Sequence, residues 1–125
     1  MSPDADPFAR ARAALLVGIV DPHREIAGIG YFDPEWRLLG RRHVVGGAAH
    51  IALPIRTIIV DALAFGARDV VIAHGHPSGD PAPSIADIAY TRLLARTLAA
   101  IDMRLADHLI VTPDGTTALR ALGLL

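Results

Sequence analysis

Apolar residues recur along this chain with two different periods, and the switches between them mark its elements. Ala14–Val20, Ile26–Phe32 and Trp36–Val45 are short aliphatic runs separated by Asp-Pro turns, and they predict three strands. From Pro54 to Phe65 the period becomes helical. Ile55, Ile58, Ile59, Ala62 and Leu63 share a face, Pro54 suits a first turn and Gly66 a stop. Asp69–His74 is a run of consecutive apolar residues closing on a histidine, the pattern of a buried strand. Ser84 to Ile101 then carries Ile85, Ile88, Ala89, Leu93, Leu94, Leu98 and Ile101 at helical spacing, with Arg92 and Arg96 off that stripe. Arg104–Thr112 predicts another strand, and Pro113-Asp-Gly115 turns into a last short strand or helix. The succession predicts an α/β fold, an α+β sandwich with a mixed sheet and two main helices. Residues 1–12 read as a flexible N-terminal tail and 13–125 as a single domain.

Composition narrows the setting. With 52% hydrophobic residues, the chain has enough apolar surface for a packed core rather than a disordered state. It has no cysteine, so neither a disulfide framework nor a thiolate metal site is available, and a cytoplasmic location is expected. The apolar run from Ala13 to Val20 is too short to span a membrane, and no membrane association is expected. Twelve arginines against thirteen acids give a formal charge of −1 with the signs interspersed. A nucleic-acid surface normally concentrates positive charge, so nucleic acid is an unexpected partner.

The chemistry is concentrated in His74-Gly-His76-Pro-Ser-Gly-Asp80-Pro-Ala-Pro-Ser84-Ile-Ala-Asp87. In an extended chain the side chains at i and i+2 point the same way, so His74 and His76 face one point if the strand continues past His74. Asp87 falls in the first turn of the following helix, near that strand end. Two histidines and one aspartate are a donor set that leaves zinc an open fourth position. The competing reading of Ser84-x-x-Asp87 is a helix-capping pair. Asp80 is the rival carboxylate, and an Asx turn accounts for it. His50 reads as a loop residue beside the cleft and His108 as one half of a packed polar pair with Asp107, while His23 and His43 carry no signal.

The string His-x-His-Pro, seven residues, Ser, two residues, Asp resembles the zinc signature of the JAB/MPN (JAMM) metalloprotease superfamily, and the longer His-Pro-Ser-Gly-Asp-Pro-x-Pro-Ser-x-x-Asp looks like its RadC branch. Tyr31-Phe-Asp33, Gly46-Gly47, Leu105-x-Asp107-His108 and the closing Leu119-Arg-x-x-Gly-Leu-Leu125 extend the similarity over about residues 28 to 125. The resemblance implies a cytidine-deaminase-like JAB/MPN fold, Zn2+ held by His74, His76 and Asp87, and Ser84 stabilising the oxyanion of a tetrahedral intermediate. It also implies a glutamate base, which RadC-like proteins are expected to place at the start of the helix before the histidine strand. Here Thr57 stands at that place, and Asp61, one turn further on, is the nearest substitute carboxylate. The two glutamates of the chain, Glu25 and Glu35, lie in turn-like stretches upstream and are not expected near the metal. Gly75 also replaces the Asn usual between the histidines.

These readings predict a zinc-binding RadC-like domain, a metal-dependent peptide- or isopeptide-bond hydrolase with its base missing and turnover weak or absent. The alternatives are an inactive zinc-binding interaction domain and, less favoured, a DNA-repair accessory. The implied partner is a peptide or protein; substrate and oligomeric state are not encoded in any motif.

Overall fold

The computed structural model describes residues 6–46 and 53–125. Eight elements follow one another: α1 (Pro7–Leu16), β1 (Ile26–Phe32), β2 (Leu38–Val45), α2 (Ile55–Phe65), β3 (Asp69–Gly75), α3 (Ile85–Ala99), β4 (Arg104–Thr112) and β5 (Gly115–Ala118). The five strands form one mixed sheet in the order β2-β1-β3-β4-β5. β1 runs antiparallel to both its neighbours, β3 and β4 are parallel across the α3 crossover, and β5 turns back on β4.

Both faces of the sheet are covered. Ile29, Tyr31, Val70 and Ile72 pack with Ile58 and Ala62 of α2 and Leu94 and Leu98 of α3. On the other face Phe32, Val71, Ala73, Leu109 and Val111 pack with Ala11 and Leu15 of α1 and with Ile19. β3 is therefore buried along its whole length, which is why its sequence shows no alternation.

The expected strand Ala14–Val20 is a correction. Its first residues belong to α1, which starts at Pro7 inside the stretch expected to be a loose tail. Asp6 caps the helix by accepting the Phe8 N–H at 3.0 Å, and Pro7 lacks a donor the first turn could not use. Ala11 and Leu15, four residues apart, bury one face against the sheet, and Gly18 in a left-handed conformation breaks the run. The count of main helices rises from two to three.

The expected strand from Trp36 starts two residues later, at Leu38. Asp33 accepts the N–H groups of both Glu35 and Arg37, which closes a turn with Trp36 at φ 62°. The indole stacks on Phe8 at 4.5 Å and tilts against Phe32, tying α1 to the turn. α2 ends as expected at Gly66, whose φ of 66° closes the helix on Ala62 and Leu63 carbonyls.

Gly75 has a specific cause. A Cβ at this position would lie 2.5 Å from the carbonyl oxygen of Ile19, in the segment joining α1 to β1. The obstacle is backbone, so it cannot rotate aside. Gly75→Ala is expected to destabilise the fold by about 1–3 kcal/mol, the usual cost of overpacking; an unchanged denaturant midpoint would show that the linker yields freely.

Candidate metal centre and cleft

Antiparallel pairing of β1 with β3 brings Ala27 opposite His74. Continuing the register two residues places residue 25 opposite residue 76, on the same face of the pleat. Glu25 occupies that position, immediately before β1, where its carbonyl accepts the Gly46 N–H at 2.9 Å. Its carboxylate is buried and lies 3.9 Å from His76 Nε2. Donor atoms of Glu25, His74 and His76 all lie within 4.8 Å of one another. The expectation that Glu25 lies away from the site is thus corrected; Glu35 sits in the Asp33 turn, paired with Arg37.

The histidines converge as expected. His74 Nε2 and His76 Nε2 are 2.7 Å apart, and Asp87 Oδ2 lies 3.7 Å from each. Hydrogen bonding orients both rings. Thr91 Oγ1 is 2.7 Å from the Asp87 carbonyl, which only accepts, so the hydroxyl proton goes there. Thr91 Oγ1 therefore accepts from His108 Nδ1, 2.6 Å away. His108 is fully enclosed, and burial, then the neighbouring His74, push its pKa down to about 3, so it holds one proton and its Nε2 accepts. That proton acceptor takes the N–H of His74 Nδ1 at 2.7 Å. His76 Nδ1 donates to the Asp80 carbonyl at 2.9 Å. The two Nε2 atoms then face each other beside Asp87 and Glu25, and a shared proton or a bound cation would satisfy both.

Asp87 completes the surroundings. Burial works to raise its pKa, but His74 and the Ser84 N–H outweigh it and hold the group well below the usual carboxylate range. The capping box also forms: Ser84 Oγ accepts the Asp87 N–H and Asp87 Oδ2 accepts the Ser84 N–H, each at 2.9 Å. One carboxylate thus caps α3 and faces both histidines, so the two readings of Ser84-x-x-Asp87 are not exclusive. Two imidazole nitrogens beside an ionised carboxylate are a donor set that a borderline cation such as zinc would take.

Other expected site residues are placed elsewhere. Thr57 is half-buried in the first turn of α2, and it is the next residue, Ile58, that turns toward the histidines. Asp61 is held by Arg42 through two hydrogen bonds of 2.6 and 2.8 Å and by the Tyr31 hydroxyl at 2.8 Å, so both its oxygens are committed away from the site. Asp80 Oδ1 closes the expected Asx turn on Ala82 N–H. His108 is not paired with the Asp107 side chain, which accepts backbone N–H groups of His108 and Arg120. His50 lies outside the described residues.

A cleft of about 340 Å³ opens over the outer side of the cluster, lined by His23, Glu25, His76, Ser84 and Asp87 among others. A three-layer α/β sandwich with a histidine pair at a strand end, a capping aspartate and a glutamate just before the neighbouring strand is the arrangement of a JAB-type domain with a candidate metal site. A RadC-like JAB domain model matches residues 8–124, and the chain belongs to that family. Similar proteins include a UPF0758 protein of Polaromonas sp., 39% identical over 83% of this chain and 46% of that protein. Another, from Bordetella avium, is 38% identical over 76% of this chain and 43% of its own length. A third, from Neisseria meningitidis, is 42% identical over 64% of this chain and 36% of that protein. The chain spans less than half the length of these relatives.

Proposed function

We propose that this domain is a zinc-dependent hydrolase of peptide or isopeptide bonds, with His74, His76 and Asp87 as metal ligands and Glu25 as general base. The observation that carries the reading is the register that sets Glu25 against His76, beside two imidazole Nε2 atoms 2.7 Å apart. When bound, zinc supplies Lewis acidity, lowering the pKa of water to about 7 and polarising a carbonyl.

The chain supplies the rest. Glu25, 3.9 Å from His76 and at the wall of the cleft, takes the proton from the attacking water and returns it to the leaving amine. Ser84 accepts the Asp87 N–H through its oxygen, which leaves its hydroxyl proton to donate to a developing oxyanion. His108 and Thr91 orient His74, and the Asp80 carbonyl orients His76. With Glu25 in place, the reason for expecting weak turnover, a carboxylate missing at Thr57, no longer applies.

The test is hydrolysis of a peptide and isopeptide substrate pool by protein reconstituted with zinc. Zinc-dependent cleavage abolished by a chelator and restored by zinc is expected; full metal loading with no cleavage across the pool would favour a zinc-binding interaction domain.

Partners follow the same logic. Among the described residues no helix is long and apolar enough to cross a membrane, and we place the domain in the cytoplasm with a peptide-like partner. With a formal charge of −1, binding to duplex or branched DNA is expected to be weak, no tighter than the about 10⁻⁴–10⁻⁶ M typical of non-specific contacts at physiological salt. A gel shift showing nanomolar affinity would restore the DNA-repair reading.

A further inference from the structure

Behind the metal centre, between the sheet and the two helices α2 and α3, lies a second cavity of about 120 Å³. Ala27 and Ile29 of β1, Ile72 of β3, Ile58 of α2 and Tyr90 of α3 form its walls, and His74 and Asp87 stand at its polar end. Apart from His74 and Asp87 at that end, the described walls offer no hydrogen bond to an occupant. The Tyr90 hydroxyl donates to the Leu53 carbonyl at 2.7 Å, leaving the ring as wall. His108, which also borders the space, has both ring nitrogens engaged by His74 and Thr91. A polar group entering here would lose its hydration without replacement, whereas an apolar one loses nothing.

Size limits the occupant further. An apolar protein cavity of roughly 150 Å³ accommodates benzene and stays dry. A space of 120 Å³ therefore matches a branched aliphatic group of about four carbons better than a bulkier aromatic side chain. His74 and Asp87 border the space, so a side chain seated in it lies a few bonds from a carbonyl held at the metal centre.

We infer that this cavity is a specificity pocket for a leucine- or valine-like side chain flanking the bond that is cleaved. The inference rests on the proposed hydrolase reading, and it adds the substrate class: aliphatic side chains preferred over glycine, aromatic and charged ones. Ala27 sets the pocket's depth, because it pairs with His74 on the same face and its small side chain leaves the space open.

Hydroxamates separate the two claims without needing turnover. Calorimetry on the zinc-loaded domain compares acetohydroxamate, 4-methylpentanohydroxamate and its isosteric amide, 4-amino-4-oxobutanohydroxamate. The branched aliphatic arm is expected to bind about 10- to 100-fold tighter than acetohydroxamate, from burial of several methylene-sized groups, and the amide arm to gain nothing. Ala27→Leu, which fills the space, is expected to erase that gain. Ile29→Val, which enlarges it, keeps the test alive if Ala27→Leu does not fold, and should shift the preference to a longer arm. Equal affinity for the three probes, or a gain that survives Ala27→Leu, overturns the pocket. Failure of acetohydroxamate itself to bind counts against the metal reading instead. The pocket is then judged by methyl resonances of Ile29, Ile58 and Ile72 titrated with isobutanol. Saturable shifts that Ala27→Leu removes support it, and no shifts sink it.

Discussion

Glu25→Gln is expected to keep its zinc and lose about 10²- to 10⁴-fold in turnover, the range a positioned general base supplies. Glutamine preserves the length and much of the hydrogen bonding of the side chain but cannot accept a proton at neutral pH. Because Glu25 is buried on the α1–β1 linker opposite His76, the change alters chemistry more than packing, and the melting temperature should stay close to that of the wild type. Thr57→Glu gives the counter-test. A carboxylate introduced there starts from the face of α2 beside Ile58 rather than toward the histidines, so it should not rescue Glu25→Gln. Rescue would return the base to the helix, and a Glu25→Gln protein with full activity would remove the carboxylate from the mechanism.

Much of this arrangement was legible in the chain, and what was not has a physical reason. β3, α3 and β4 announce themselves because a strand buried on both faces reads as a continuous apolar run, and because Ser84 and Asp87 are capping residues at the right spacing. The histidine pair and Asp87 are close in sequence, so local periodicity alone brings them together. Glu25 is not local. It reaches His76 through the β1–β3 register, with β2 and α2 intervening in the chain, and no periodicity within either segment reports that pairing. A glutamate directly before a strand was the available signal, but it acquires meaning only once that strand is placed beside the histidines. His108 failed to stand out for a similar reason: its partners, His74 and Thr91, come from two other elements. α1 was misread because Ala13–Val20 is apolar throughout, and the telling positions are Ala11 and Leu15, whose spacing of four is helical. Gly75 stands where the family pattern has Asn, and the Ile19 carbonyl packed against it belongs to the same linker as Glu25.

Removal of donors should then separate ligand from base. Wild-type protein purified without chelator is expected to carry close to one zinc per chain, and His74→Ala, His76→Ala and Asp87→Ala should each lose it. Each loss should exceed the about 10- to 100-fold in affinity expected from deleting an outer hydrogen-bonding partner, the size predicted for His108→Ala. The argument for Asp87 over Glu25 as third ligand is geometric. Asp87 Oδ2 stands 3.7 Å from both Nε2 atoms and is held there by the Ser84 N–H, whereas Glu25 approaches at 3.9 Å and toward His76. Asp87→Ala also removes half of the capping box, so some loss of stability, about 0.5–2 kcal/mol, accompanies the loss of metal. Asp87→Ser separates these effects, since a hydroxyl at the third helical residue keeps α3 tolerably capped but is no carboxylate; it should fold and still fail to hold zinc. Zinc retained by Asp87→Ser and lost by Glu25→Gln would invert the assignment, making Glu25 the ligand and Asp87 a cap alone.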